Sequence, residues 1–183
     1  MTGIPGTGKS HFAKRLSRFL GNAKLIEINE IVEKKRLFSG VDEHDTKIVK
    51  MRPLEKELKS RIAAFDGPII IVGHLAADLN LHYDIAVVTR ARLSKLARVF
   101  KRRGYAKSKS RTNLFAEALD YCGANVEKKT DELYEVENES DKRKIMLYMK
   151  ARIGGRNPKR PEARQISRAK ELISLIHETG INP

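Results

Sequence analysis

Residues 3–10 read Gly-Ile-Pro-Gly-Thr-Gly-Lys-Ser and satisfy the pattern G-x-x-x-x-G-K-[ST]. An apolar stripe of helical spacing follows at once, through Phe12, Leu16, Phe19 and Leu20. The chemistry of such a loop is specific. Glycines let the backbone fold around an anion with its N–H groups pointing inward. Lys9 brings a point charge to the outer phosphates, and the Ser10 hydroxyl reaches Mg²⁺. The helix that opens near Lys9 adds the positive end of its dipole. A phosphate-binding loop therefore includes Gly6, Thr7, Gly8, Lys9, Ser10 and His11, the last through its backbone N–H rather than its ring.

The rest of the chain alternates helical and extended patterns. Leu25 to Ile28 reads as a strand, and residues 54–65 as a helix through Leu54, Leu58, Ile62 and Phe65. Gly67-Pro68 ends that helix, and Ile69-Ile70-Ile71-Val72 is a β-branched run suited to a strand covered on both faces. Asp84 to Thr89 is a second strand of that type. Helices are predicted from Leu93 to a stop at Gly104, from about Asn113 to Cys122, and from a cap at Asp141 to about Ile153. A strand near Leu133 to Val136 lies between the last two. This order implies an α/β three-layer domain, a parallel sheet with helices on both faces. Gly154 to Pro158 reads as a hinge, followed by an amphipathic helix through Ile166, Ala169, Leu172, Ile173 and Ile176.

The loop as G-I-P-G-T-G-K-S resembles that of adenylate kinases and their relatives. Gly40-Val41-Asp42-Glu43-His44-Asp45, Ile70-Ile71-Val72-Gly73-His74, and Arg102-Arg103-Gly104-Tyr105 with Asn113 and Glu117 are similar to one branch, the adenylate kinase isoenzyme 6 family. The resemblance spans residues 1 to about 153. It implies a nucleoside monophosphate kinase-like P-loop fold, with a monophosphate region at about 29–52 and a lid at about 102–112. It implies reversible phosphoryl transfer between ATP and AMP, or another nucleoside monophosphate, with Mg²⁺, and ATP hydrolysis. It further implies a part in maturing the small ribosomal subunit, with a platform ribosomal protein and rRNA as partners. Residues 154–183 lie outside it as a basic extension.

Within that resemblance Lys9, His74 and Arg103 are the catalytic candidates. Arg103 matches the family's lid arginine, in a stretch from Arg90 to Arg111 with ten basic residues and no acidic one. Mobile arginines that close over a transferring phosphoryl group stabilise its charge. The same stretch also reads as a solvated basic helix or an RNA-facing stripe. His74 ends a strand, where ligands bind in open α/β sheets. The acidic residue expected two positions earlier is Val72, which cannot hold a metal shell. Asp78 is too far along to replace it without a different turn, and Asp42, Glu43 or Asp45 approach from the other side. Cys122 reads as core.

Charge supports a polyanionic partner. Thirty-seven Lys and Arg against 23 Asp and Glu leave a formal +14. From Asp141 onward 11 basic residues face four acidic ones, so this segment carries half of the excess. No apolar run reaches the ~20 residues that cross a bilayer. One cysteine, no metal-ligand cluster and no secretory pattern fit a reducing, cytoplasmic setting without a membrane partner. One feature conflicts with the motif. Only Met1 and Thr2 precede Gly3 where a phosphate loop expects a central strand of ~5 residues. The expectation is an upstream segment, or another piece of the chain filling that slot.

Overall fold

The computed structural model describes residues 1–43, 46–162 and 166–179. Its elements are α1 (Lys9–Leu20), β1 (Lys24–Glu27), α2 (Ile28–Lys34), β2 (Phe38–Val41), β3 (Lys47–Val49), α3 (Met51–Ala63) and β4 (Ile69–Val72). A 3₁₀ turn (His74–Ala77) leads to β5 (Tyr83–Thr89), α4 (Leu93–Arg102), α5 (Lys107–Ala118), α6 (Tyr121–Glu127), β6 (Thr130–Val136), α7 (Glu139–Ile153) and α8 (Ala169–Thr179).

The β-branched runs form strands as their pattern requires. β1 pairs with β4 in parallel, Leu25 opposite Ile70, and β5 pairs with β6 in parallel, Val87 opposite Tyr134. Between the two pairs lie Met1 and Thr2. The Met1 amino group donates to Ile71 O at 2.7 Å, and Gly73 N–H donates to Met1 O at 3.2 Å. Thr2 N–H donates to Val87 O, and Thr89 N–H to Thr2 O, both at 2.9 Å. These two residues bridge the pairs in the order β1, β4, Met1–Thr2, β5, β6.

Helices cover both faces. Phe12, Ala13 and Leu16 of α1 and Ile145, Met146 and Met149 of α7 share one buried cluster with Ile70, Val72 and Val87. Leu54 and Leu58 of α3 join Ile28, Ile31 and Ile71 in another, and Leu93, Leu96 and Phe100 of α4 join Val88 and Leu114 in a third. Each large side chain so buried contributes ~1.5–3 kcal/mol. Val72 is one of them, 2% exposed against α1. Its position is an apolar core position.

Several expectations shift. The 29–52 region is α2 followed by an antiparallel hairpin, β2 against β3. Its tip holds Asp42, whose Oδ1 accepts from Thr46 N–H at 2.8 Å. His44 and Asp45 lie outside the described residues. The helix expected from Asn113 to Cys122 is two helices, broken at Asp120, whose φ is 54°. Asp120 caps α6 by accepting from Gly123 N–H. Asn138, not Asp141, caps α7: its side chain accepts from Asp141 N–H at 2.9 Å, while Asp141 accepts from Glu137 N–H at 3.3 Å. The last helix begins after Ile166 rather than at it.

The stretch beyond α7 returns to the sheet. Arg160 reaches Glu132 of β6 at 3.3 Å, and Ile166 N–H donates to Glu135 Oε2 at 2.7 Å. Arg168, 5% exposed, pairs with Glu137 and Glu171. Part of the basic excess in this segment is therefore spent inside the protein.

Candidate phosphate site

The loop is built by two glycines with φ near +90°. Gly6 (93°) turns the chain under α4, and Gly8 (88°) is the left-handed residue that opens α1. Side chains rarely adopt that conformation. The Thr7 hydroxyl points inward, donating to Ile4 O at 2.9 Å and lying 2.7 Å from Thr89 Oγ1. Thr7 thus braces the loop with its side chain and offers only its backbone to a ligand. Ser10 and His11 are exposed in the first turn of α1, which contains no acidic residue. The backbone N–H groups there have no partner within the helix, and the dipole adds positive potential. An anion fits this end of α1.

Three charged or polar side chains converge beside it. The Lys9 ammonium lies 3.5 Å from Ile4 O. Burial, opposed by the Cys122 thiol and assisted by the nearby Arg103 guanidinium, lowers its pKa to about 8. A phosphate is the group that would relieve both effects. Arg103 caps the end of α4, where Tyr105 folds back to stack on Phe100 with ring centroids 5.3 Å apart. The expected lid at 102–112 is accordingly a helix–turn–helix joining α4 to α5. His74 opens the 3₁₀ turn after β4, held through its carbonyl by the Thr2 hydroxyl at 3.0 Å. Burial first, and then the charge of Lys9, pull its pKa down to about 4, with Asp78 opposing. The imidazole is neutral at ordinary pH.

The structure thus brings together Lys9, Arg103, His74 and the amides of the loop, with the Ser10 hydroxyl at the same helix start. Mg²⁺ commonly uses one or two protein oxygens, with phosphate and water completing its shell. Ser10 fits that role; Val72, packed in the core, does not. Among the described residues no group of three or more His, Cys, Asp or Glu forms a metal cage. Asp78 comes near His74 but is engaged by Tyr121 Oη at 2.9 Å and Asn125 Nδ2 at 3.1 Å. Cys122 is buried, its thiol pushed up to about 11 by burial, which suits core and not nucleophile.

Arg90 corrects the reading of the basic run. Its side chain is 1% exposed and points into the protein, not toward the lid surface. Nε donates to Glu117 Oε1 at 2.9 Å, Nη1 meets Asp120 and Glu135, and Nη2 donates to Glu117 O and Ile166 O. Glu117 also accepts from Ala91 N–H at 3.1 Å. This network fixes the turn between β5 and α4, and so the base of the helix that carries Arg103. Composition hid it, because nothing in a run of basic residues marks the one that faces inward.

A glycine loop braced by the sheet, an open helix start and converging cations define a P-loop nucleotide-binding protein of the kinase-like kind. The chain belongs to the AAA domain family, whose model matches residues 1–143. It is 37% identical over 124 residues to a "putative adenylate kinase" of Methanosarcina barkeri, a match covering 66% of this chain and 65% of that protein, just under two thirds of its length. A protein of the same description from Methanococcus maripaludis is 31% identical over 166 residues, covering 86% of this chain and 89% of its own. Shikimate kinase from Bacteroides thetaiotaomicron superposes with a TM-score of 0.47 and 17% identity, over 84% of this chain and 95% of that one.

Proposed function

We propose that the protein transfers the terminal phosphoryl group of ATP to AMP, giving two ADP, with slow ATP hydrolysis when AMP is absent. The observation that carries this reading is the buried Lys9 ammonium at the open start of α1, within electrostatic reach of Arg103. In the transfer an oxygen of the AMP phosphate forms the new P–O bond as the β–γ bridging bond breaks, and ADP leaves. Backbone N–H groups of Gly6 to His11 hold the phosphates of ATP. Lys9 neutralises the outer phosphates, and Arg103, carried on the turn between α4 and α5, covers the charge spread over the group in flight. Neutral His74 donates its ring N–H to the incoming phosphate oxygen, or accepts from a water that it orients. Ser10 would hold Mg²⁺, which would supply charge neutralisation to the phosphates.

The 29–52 region, with α2 and its hairpin, is the proposed monophosphate side. Offering AMP, GMP, CMP and UMP in turn with ATP and Mg²⁺ tests the assignment. AMP should give the fastest ADP formation, and equal rates with all four would refute the named acceptor.

A second reading, a nucleotide-sensing RNA-binding module with little turnover, is favoured by one face of α4. Arg92, Lys95, Arg98 and Arg102 recur there at helical spacing and are all exposed. Part in small-subunit maturation, with a platform protein and rRNA, rests on the family resemblance. RNA affinity that falls steeply from low to physiological salt would favour the RNA reading. Weak binding at both would favour the metabolic one.

A further inference from the structure

The helix that carries Arg103 has no cap of its own. Arg92, at the cap position of α4, makes no side-chain hydrogen bond to the helix, and the first turn contains no acidic residue. The acceptor comes from far along the chain: Glu171 Oε2, in α8, accepts from Leu93 N–H at 2.9 Å. A carboxylate there satisfies an N–H that has no partner within the helix and meets the positive end of its dipole.

Glu171 is itself held in place. Its Oε1 accepts from Arg168 Nη1 at 2.7 Å, and Arg168 Nη2 donates at 2.5 Å to Oε1 of Glu137, the residue after β6. The main chain of Ile166 is gripped at both its polar groups. Its N–H donates to Glu135 of β6 at 2.7 Å, and its carbonyl accepts from Arg90 Nη2 at 3.2 Å. Leu172 packs on the buried cluster that includes Leu93, Leu96 and Phe100 of α4 and Leu114 of α5. Residues 166–172 thus run from the sheet to the start of α4, and α8 touches both α4 and α5. All of them lie beyond residues 1–143, the part of the chain that the family model matches.

We infer that residues 166–172 are a strap that fixes α4 against the sheet, and that Glu171 is a positioning residue for Arg103. A short helix moves as a rod, so holding its start sets its end. At ~1.5 Å per residue, α4 puts about 15 Å between the Leu93 amide and Arg103. Glu171 therefore acts on the site through the helix and not by contact. The phosphate loop is braced separately, by Thr7 against Thr89 of β5. Loosening the strap displaces Arg103 more than it disturbs the loop. The effect on turnover rests on the phosphoryl-transfer reading; the mechanical link between Glu171 and the far end of α4 does not.

Two variants of the full chain cut the strap at either end: Glu171→Ala at α4 and Arg168→Gln at the sheet. Amide hydrogen exchange is compared with the parent in the absence of nucleotide. Both variants should speed exchange at Leu93 by about fivefold or more. They should also speed it at Arg103, Gly104 and Tyr105, whose N–H groups donate to Val99 O, Lys101 O and Phe100 O in the parent. Faster exchange at Leu93 alone would overturn the strap and leave Glu171 a local cap; unchanged exchange at all four amides would overturn it as well. With ATP and AMP, kcat should fall about threefold or more while the KM for ATP stays within about twofold. The double variant should lose no more than the worse single one, because a strap cut at one end is already slack. An unchanged kcat in variants of an active parent would refute the positioning role. A parent without AMP-dependent turnover would refute the kinase reading instead, and the exchange pattern alone then decides the strap.

Discussion

A Cβ on Gly6 would stand 3.1 Å from Cγ1 of Val99, so the phosphate loop rests directly on the helix whose end carries Arg103. The loop backbone there packs straight onto the Val99 and Leu96 side chains of α4. Gly6→Ala introduces both this contact and a side chain at φ 93°. The variant should lose ~1–3 kcal/mol of stability and roughly tenfold or more in ATP affinity. Thermal unfolding and calorimetric titration read the two effects. Unchanged ATP affinity would show that the loop does not need this approach.

Lys9 sets the pH dependence of nucleotide binding. Its pKa in the free protein is about 8, and bound phosphate must raise it again. Above pH 8 each binding event therefore takes up a proton, and affinity falls by about tenfold per pH unit. Titrations from pH 7 to 9.5 should show this slope, and Lys9→Gln should lack it.

Stability has its own pH window. His74 titrates at about 4 when folded and near 6.5 unfolded. The unfolded chain binds the extra proton, so stability rises with pH from about 4 to 6.5. This contributes at most ~1.4 kcal/mol per pH unit. His74→Gln should flatten the curve over this range, measured by denaturant unfolding at each pH.

Arg90 holds three carboxylates and the carbonyl of Ile166 from inside the protein. Arg90→Met leaves Glu117 and Glu135 buried without a counter-charge, which costs about 3–5 kcal/mol. It should also free the segment beyond α7, so that limited proteolysis cuts between residues 154 and 162 faster than in the parent. A cleavage rate equal to the parent's would show that Arg90 does not hold this segment.

Much of this was legible in the residues. The loop motif located the anion site, and the β-branched runs at Ile69–Val72 and Asp84–Thr89 marked strands buried on both faces. The hairpin at β2 and β3 was not legible, because strands of four and three residues containing Ser39 and Gly40 carry no alternating apolar signal. Nor was the break at Asp120, since a left-handed aspartate looks like any helical one until its φ is known. The inward turn of Arg90 depends on Glu117 and Glu135, which are distant in sequence, and no local pattern links them.

The most direct test of the central claim is ADP formation by the purified chain from ATP and Mg²⁺, with and without AMP, beside Lys9→Ala. Phosphoryl transfer predicts that AMP raises ADP production sharply and that Lys9→Ala lowers it by about 100-fold or more. Slow turnover indifferent to AMP, or ATP binding with no turnover, would contradict the kinase assignment and move the search to RNA.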